Sequence, residues 1–595
     1  MDTFRFLARC LLFAGLLPFV LLAQNPVRIT DINPGAGSAF FAANNYWVHR
    51  DILDDVLYIQ AYDPISGTEL WKSVPSYTGA ALVKDLNPGT EKGSWGNYLP
   101  AFGKLFFSGF AGDKSALCWS NGTTQGTAVL TTGKDGFFQG SAVSQGKIFS
   151  SQNLVEYGGT IRFKSTRFAG YLHATDPATG ATTLLKTVDD GIGWMADVNG
   201  TLLLLAMKVN YPNPATHSIW KSNGTGKGTV KIVDLPVLEN ISVQASTDLY
   251  RELATFAVVD AAAIYFTWGN PATGGRELWR TDGTPAGTVA VTDINPGSGN
   301  SFPTMVARMG EYLYFSANDG SNGFQIWRLP LAGGPAERVT DIDGGTLGAD
   351  PMWLTPLNGK LFFSAYTPEY GRELWVSNGL PYNNPAAVTV MLDAANGGIA
   401  AGGASSNPNY FTSPQPTNPP FVDDDPEHRY GMEALGSYVY FPADDGTGFA
   451  LWRSDGMTTE KLGASKPRYL TAINNMLLFI AYDDTYGNEL WKFDPSLAPS
   501  PKHPAALPVG LELAQNYPNP FSSTTTFEYA VPAEGRVLLR VLDLLGREVA
   551  VLADGLHGAG RHAVEWNAAA LPSGMYLCRL ESDGQTVTRM VNLVR

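Results

Sequence analysis

Four glutamates stand at one recurring place, Glu69, Glu277, Glu373 and Glu489, each two residues before a tryptophan. Paired carboxylates can hydrolyse glycosides by general acid and base action. A residue that recurs once per repeat is instead expected to serve the repeat, since a ring would spread the four apart. Acidic turns, Asp444-Asp445-Gly446, Asp483-Asp484 and Asn318-Asp319-Gly320, offer oxygens that structural calcium could use, but none has EF-hand or nonapeptide spacing, and they read as solvated turns. The seven histidines, His49, His173, His217, His428, His503, His557 and His562, show no metal-ligand spacing. No nucleophile elbow, phosphate loop or dinucleotide fingerprint appears with its strand and helix context. No cofactor is expected.

One segment departs from its surroundings. Between Trp375 and Trp452 the chain is longer than between other neighbouring copies, and the insertion at 393–432 gathers Tyr410, Asp425, Glu427, His428 and Arg429. A ligand site on a ring of similar units needs unlike loops, so these five residues are the candidate ligand loop. They would serve a binding site for an extracellular glycan or protein or, alternatively, the catalytic site of a polysaccharide-active enzyme.

The elements that must position these groups come from a repeat. Glu69-Leu70-Trp71, Leu117-Cys118-Trp119-Ser120-Asn121-Gly122-Thr123, Ile219-Trp220-Lys221-Ser222-Asn223-Gly224-Thr225 and Glu277-Leu278-Trp279-Arg280-Thr281-Asp282-Gly283-Thr284 are copies of one phrase. Trp327, Trp375, Trp452 and Trp491 continue it, and Tyr171 to Asp176 is a degenerate copy with His173 for the tryptophan. Upstream of many copies lies an apolar run such as Leu57-Tyr58-Ile59, Leu105-Phe106-Phe107 or Leu361-Phe362-Phe363, the pattern of a strand covered on both faces. Downstream, Asn/Asp-Gly-Thr turns the chain into another strand. Four strands per copy make a propeller blade. Nine copies predict eight or nine blades, depending on whether the His173 copy forms a full one. Val27 to Gly35 copies the last strand of a unit, and the final copy at Trp491 lacks that strand, so pairing of the two ends would close the ring.

The phrase Glu-Leu-Trp-x-x-Asp-Gly-Thr-x-x-Gly-Thr, followed by Asp-Ile-Asn-Pro-Gly, resembles that of the ELWxxDGT, or hyalin-like, repeat proteins secreted by bacteria. Residues 277–297 match it nearly throughout, while Cys118, His173 and Gln325-Ile326-Trp327 depart from it. The resemblance covers 24–494 and implies little about activity.

Arg5, Arg9 and the apolar run Leu11 to Ala23 have the layout of a signal peptide over 1–23. The net charge of -14 without a basic cluster argues against nucleic acid. Removal of 1–23 leaves Cys118 and Cys578, which are assigned to different domains, so no disulfide is expected.

A Pro-rich linker over 495–510 leads to a small β-sandwich over 511–595, with strands expected at 524–529, 537–543, 548–552, 560–566, 574–582 and 586–593. The fold class is thus all-β, a large propeller followed by a sandwich. The tail resembles the type A C-terminal sorting domain of the type IX secretion system through Asn516, Tyr517, Pro518, Asn519, Pro520, Phe521, Gly546, Arg547, Gly574 and Tyr576 and the closing run 589–595. The resemblance implies export across both membranes, the secretion machinery as partner, and either attachment at the outer-membrane surface or release. The last strand, ending at the terminus, could be read by strand addition; the alternative is that 517–521 only caps the sandwich.

Overall fold

The computed structural model describes residues 26–594 except 36, 41–47, 134–136, 156–167, 189–190, 209–215, 237–255, 260–261, 270–274, 343–347, 369, 393–430, 445–447, 498–510, 515, 517–518, 520, 532–534, 544–546, 558–559 and 583. The chain divides into two compact units, Met1–Pro499 and Ser500–Arg595.

In the first unit, seven consecutive four-stranded antiparallel sheets span 50–84, 94–132, 137–187, 191–234, 256–290, 304–338 and 352–391. The remaining sheet has seven strands, and Thr459–Ile473 lies in its middle. The first half of that long strand pairs with Phe449–Ser454 and the second half with Met476–Asp483, so it is the outer strand of one blade and the inner strand of the next. The described residues therefore form nine four-stranded blades, and the His173 copy contributes a full one. Val27–Arg28 supplies the outer strand of the ninth blade by pairing with Gly487–Phe493, so the two ends close the ring as the sequence predicts.

The apolar runs form the second strand of each blade and are covered from both sides. Tyr58 and Leu70 of the first blade share a core with Leu105, Phe107 and Cys118 of the second. Leu203 and Leu205 of the fourth pack on Ile264, Phe266 and Trp279 of the fifth. Each such side chain contributes about 1.5–3 kcal/mol on burial, so the ring is held chiefly by cores between blades. Polar contacts add to these cores. Lys72 Nζ donates to the Gly122 carbonyl at 2.7 Å, Gln145 to that of Ser222 at 3.0 Å, and Arg328 and Tyr314 to that of Gly379, each at 3.0 Å. In every case a side chain of one blade caps a turn of the next.

The register corrects one reading of the repeat. A bulge falls between Leu70 and Trp71, between Ile219 and Trp220, and between Leu172 and His173, but in the second blade between Leu117 and Cys118. Cys118 therefore occupies the tryptophan's place, and Trp119 is one position past it. The cause is the preceding hairpin. Ala111 pairs with Lys114 across a two-residue turn, whereas Asp63 pairs with Gly67 across three residues, so an equal spacing in sequence puts Trp119 opposite Phe106 and on the other face of the sheet. There its ring meets the Lys104 ammonium at 3.8 Å.

The second unit is a β-sandwich. One sheet orders Glu512–Leu513, Thr524–Val531 and Gly560–Asn567, the other Glu548–His557, Gly535–Leu542, Gly574–Ser582 and Gln585–Leu593. Phe527, Tyr529 and Trp566 from one and Val537, Leu539, Cys578 and Leu580 from the other form a single core.

Candidate functional site

The recurring glutamates are buried in their own blades, and two of them are bound into locks there. Glu277 lies on the third strand of its blade, fully buried, where Oε2 accepts from the Thr292 hydroxyl at 2.8 Å and the Ile294 amide at 3.0 Å, and Oε1 from the Asn295 amide at 3.2 Å. Thr292 Oγ1 in turn accepts from the Leu278 amide at 3.0 Å. The Glu-Leu and Thr-Asp-Ile-Asn phrases thus form one lock between the third strand and the exit from the fourth. Gln325 does the same work in the sixth blade, accepting from Thr340 at 2.8 Å and Ile342 at 3.2 Å. Glu489 locks onto Thr30 at 2.6 Å and the Ile32 amide at 3.2 Å. Burial pushes the Glu69 carboxyl up to about 8, against the opposing pull of the Leu86 and Asn87 amides, and raises that of Glu489. Glu373 is buried at the corresponding register position. The geometry separates the carboxylates into different blades, so no two act on one bond.

Two of the acidic turns are bonded internally, Asp319 also pairing with Arg338 at 3.7 Å, and Asp445 and Gly446 of the third lie outside the described residues. Asp483 Oδ1 accepts from the Thr485 amide at 2.8 Å, and Asp319 Oδ1 from the Ser321 and Asn322 amides at 2.9 and 2.7 Å. Among the described residues no group of three or more His, Cys, Asp or Glu could hold a metal ion. His173 and His217 lie within blades, and burial lowers both, His217 to about 4.

Where a ligand could meet the ring follows from strand direction. Antiparallel order puts the first-to-second and third-to-fourth turns of every blade on one face, and the second-to-third turns and the blade-to-blade connections on the other. The first-to-second turns are short, as in Leu53 paired with Val56, Val198 with Thr201 and Ile473 with Met476. Asp54 and Asp55, or Asn474 and Asn475, both take positive φ there, the geometry of a tight hairpin turn that matches strand twist. On the other face the connections are unequal, and there Thr389–Met391 ends and Glu433–Leu435 begins. Tyr410, Asp425, Glu427, His428 and Arg429 themselves lie outside the described residues.

In the second unit, described parts of the sorting motif converge on the end of the last strand. Asn519 Oδ1 accepts from the Asn592 amide at 2.9 Å, the Phe521 amide donates to the Asn592 carbonyl at 3.1 Å, and the Val594 amide donates to the Phe521 carbonyl at 2.8 Å. Phe521 is buried against Trp566, with ring centroids 5.5 Å apart. Gly574 pairs opposite Leu593. Tyr576 meets Trp566 edge-on and donates to the Pro572 carbonyl at 2.7 Å. Asn516 is buried and donates to Thr525 at 2.9 Å. Arg547 is exposed and pairs with Asp543 at 2.7 Å. Tyr517, Pro518, Pro520 and Gly546 lie outside the described residues. The described motif residues thus brace the sandwich and its last strand. That strand, Gln585–Leu593, lies at a sheet edge, and besides its bridge to Phe521 no described strand pairs with its outer side.

Residues 515–593 match the family described as the secretion system C-terminal sorting domain. This tail directs export by type IX secretion to the cell surface or extracellular space. No helix among the described residues is long and apolar enough to cross a membrane. No curated protein matches the chain in sequence. Among solved structures, a puromycin-hydrolysing peptidase of Mycobacterium tuberculosis is similar at 12% identity and a TM-score of 0.35, covering 77% of this chain and 60% of the peptidase. An acylaminoacyl peptidase of Pyrococcus horikoshii is similar at 8% identity and a TM-score of 0.31, covering 68% and 59%. The chain spans less than two thirds of either peptidase, and likeness of this degree carries no argument about activity.

Proposed function

We propose that this chain is an exported propeller of the ELWxxDGT-repeat class, made with a signal peptide over 1–23, and that outside the cell it is a non-enzymatic binding or adhesion module. Its ligand is a glycan or protein met on the face of unequal connections, and the chain is held at the outer-membrane surface or released. The observation that carries this reading is the place of the recurring carboxylates, buried in separate blades with Glu277 and Glu489 bound into blade locks, while a sorting tail sends the ring outside. The open edge of Gln585–Leu593 supports reading of the tail by strand addition, with the Asn519 to Phe521 segment bracing that strand. Full-length secreted protein, screened on a glycan array and incubated with the glycans that retain it, is expected to bind without releasing product. Turnover of a retained polysaccharide would overturn the reading.

A further inference from the structure

A cleft of about 410 Å³ opens between the sixth and seventh blades on the face of unequal connections. That volume suits a small group or the tip of a side chain rather than a folded partner. It is lined by Trp375, Thr389 and Met391 of the seventh blade and by Asp341, which leaves the sixth. Met391 is also the last strand residue before the unlike 393–430 connection.

The repeat itself indicates what fits there. The residue paired opposite the tryptophan is Arg28 at Trp491, Lys231 at Trp220, Arg338 at Trp327 and Lys461 at Trp452. The ammonium of Lys461 lies 5.7 Å from the Trp452 ring. An aromatic face attracts a cation through its quadrupole, and the Trp220 ring likewise meets a cation, Lys186 of the preceding blade at 5.3 Å, whereas Arg28 and Arg338 lie over Tyr486 and Tyr382. At Trp375 the opposite residue is Met391, which brings no charge. Leu82 and Ala290 also bring none at Trp71 and Trp279, but at Trp375 a cleft and a carboxylate accompany the exchange. Asp341 is held by Arg338 at 3.1 Å with its side chain 57% exposed, so a carboxylate is fixed beside an indole whose scaffold elsewhere takes a cation.

We propose that this cleft binds a primary ammonium or guanidinium group, the side chain of a lysine or arginine on a partner protein. The proposal rests on the binding-module reading and gives that module a partner of stated chemistry. The chain's net charge of -14 favours approach of a basic partner.

The test uses the full chain at physiological salt and isothermal titration with hexalysine, with hexaserine and cellohexaose as comparisons. Met391→Lys places in the seventh blade the residue that the eighth already carries, so it should keep the fold, fill the cleft and weaken hexalysine binding at least tenfold. Asp341→Asn should weaken it several-fold, and thermal melting of both variants should stay close to the parent. Hexalysine binding of equal strength to all three proteins would mark a general attraction to an acidic surface and overturn the cleft, as would no binding. Cellohexaose bound equally by the parent and Met391→Lys, with no hexalysine bound by either, would overturn the cleft while leaving the ring a binding module. Cellohexaose bound by the parent and lost in Met391→Lys would make the cleft a sugar site and overturn the cation.

Discussion

A glutamate buried in every other respect like a core residue is a costly choice unless its oxygens are used, and the lock shows how they are used. Gln325 shows in addition that the charge is dispensable, because an amide oxygen accepts from the same hydroxyl and amide. This separates acceptor from charge and gives a pH test. The Glu69 carboxyl is raised from 4.5 to about 8 in the folded protein. A raised carboxyl means that the folded state holds the proton longer than the unfolded chain does. Its contribution is therefore complete below about pH 4.5, declines as pH rises through the window, and is lost above about pH 8. Glu69→Gln has no such proton. Measured against the parent by chemical unfolding, the variant should be nearly equal at pH 4.5 and gain about 1–3 kcal/mol by pH 8. A constant difference across that range would show that Glu69 is ionised throughout.

The elements differ in how far the sequence reveals them. The Asn-Gly-Thr-x-x-Gly-Thr turn was legible because each position has a steric or hydrogen-bonding reason. Asn223 Oδ1 accepts from the Thr225 amide at 3.2 Å and hydroxyl at 2.8 Å, the Gly228 amide donates to Thr225 Oγ1 at 3.0 Å, and Thr229 Oγ1 donates back to the Thr225 carbonyl at 2.8 Å. A Cβ on Gly228 would stand 1.8 Å from Asn223 Oδ1, so only glycine fits. Gly228→Ala should expel Asn223 and cost about 1–3 kcal/mol, while the exposed neighbour Lys227→Ala should stay within about 0.5 kcal/mol. Hydrogen exchange of the strand Val230–Asp234, which follows the turn, would show the difference, and equal protection in the two variants would refute the turn's role. The shift at Trp119 was masked by the preserved spacing from the apolar run, since the hairpin between them is one residue shorter, and only the step to the Asn-Gly turn, two positions from Trp119 against three from Trp220, records it. Inner strands were also hard to read. Their bulges put Met305, Trp353 and Tyr469 at positive φ, which interrupts the alternation that marks a strand. The cleft was invisible for another reason, since Asp341, Trp375 and Met391 come from separate strands and connections and share no motif.

For the whole molecule, the decisive contact joins residues more than four hundred positions apart. Thr30 donates to Glu489 at 2.6 Å and accepts from the Leu490 amide at 3.0 Å, repeating in the ninth blade what Thr292 does in the fifth. Locally the two locks are alike, and Thr→Val in either should cost about 1.5–3 kcal/mol by stripping a hydroxyl from a buried carboxylate and an amide. Globally they differ. Thr292 sits in an unbroken chain whose neighbouring strands hold it in place, whereas Thr30 follows closely on Val27–Arg28, the short strand that closes the ring. Loss of its hydroxyl should let Val27–Arg28 peel away from Gly487–Phe493 and expose the edge of the ninth blade. Thr30→Val is therefore expected to raise hydrogen exchange throughout 487–493 and to promote concentration-dependent association through that edge, while Thr292→Val raises exchange only around 276–294 and the protein remains in its parent state of association. If both variants exchange only near their own substitution and neither associates, the ring is held by its cores between blades and the terminal strand is not its clasp.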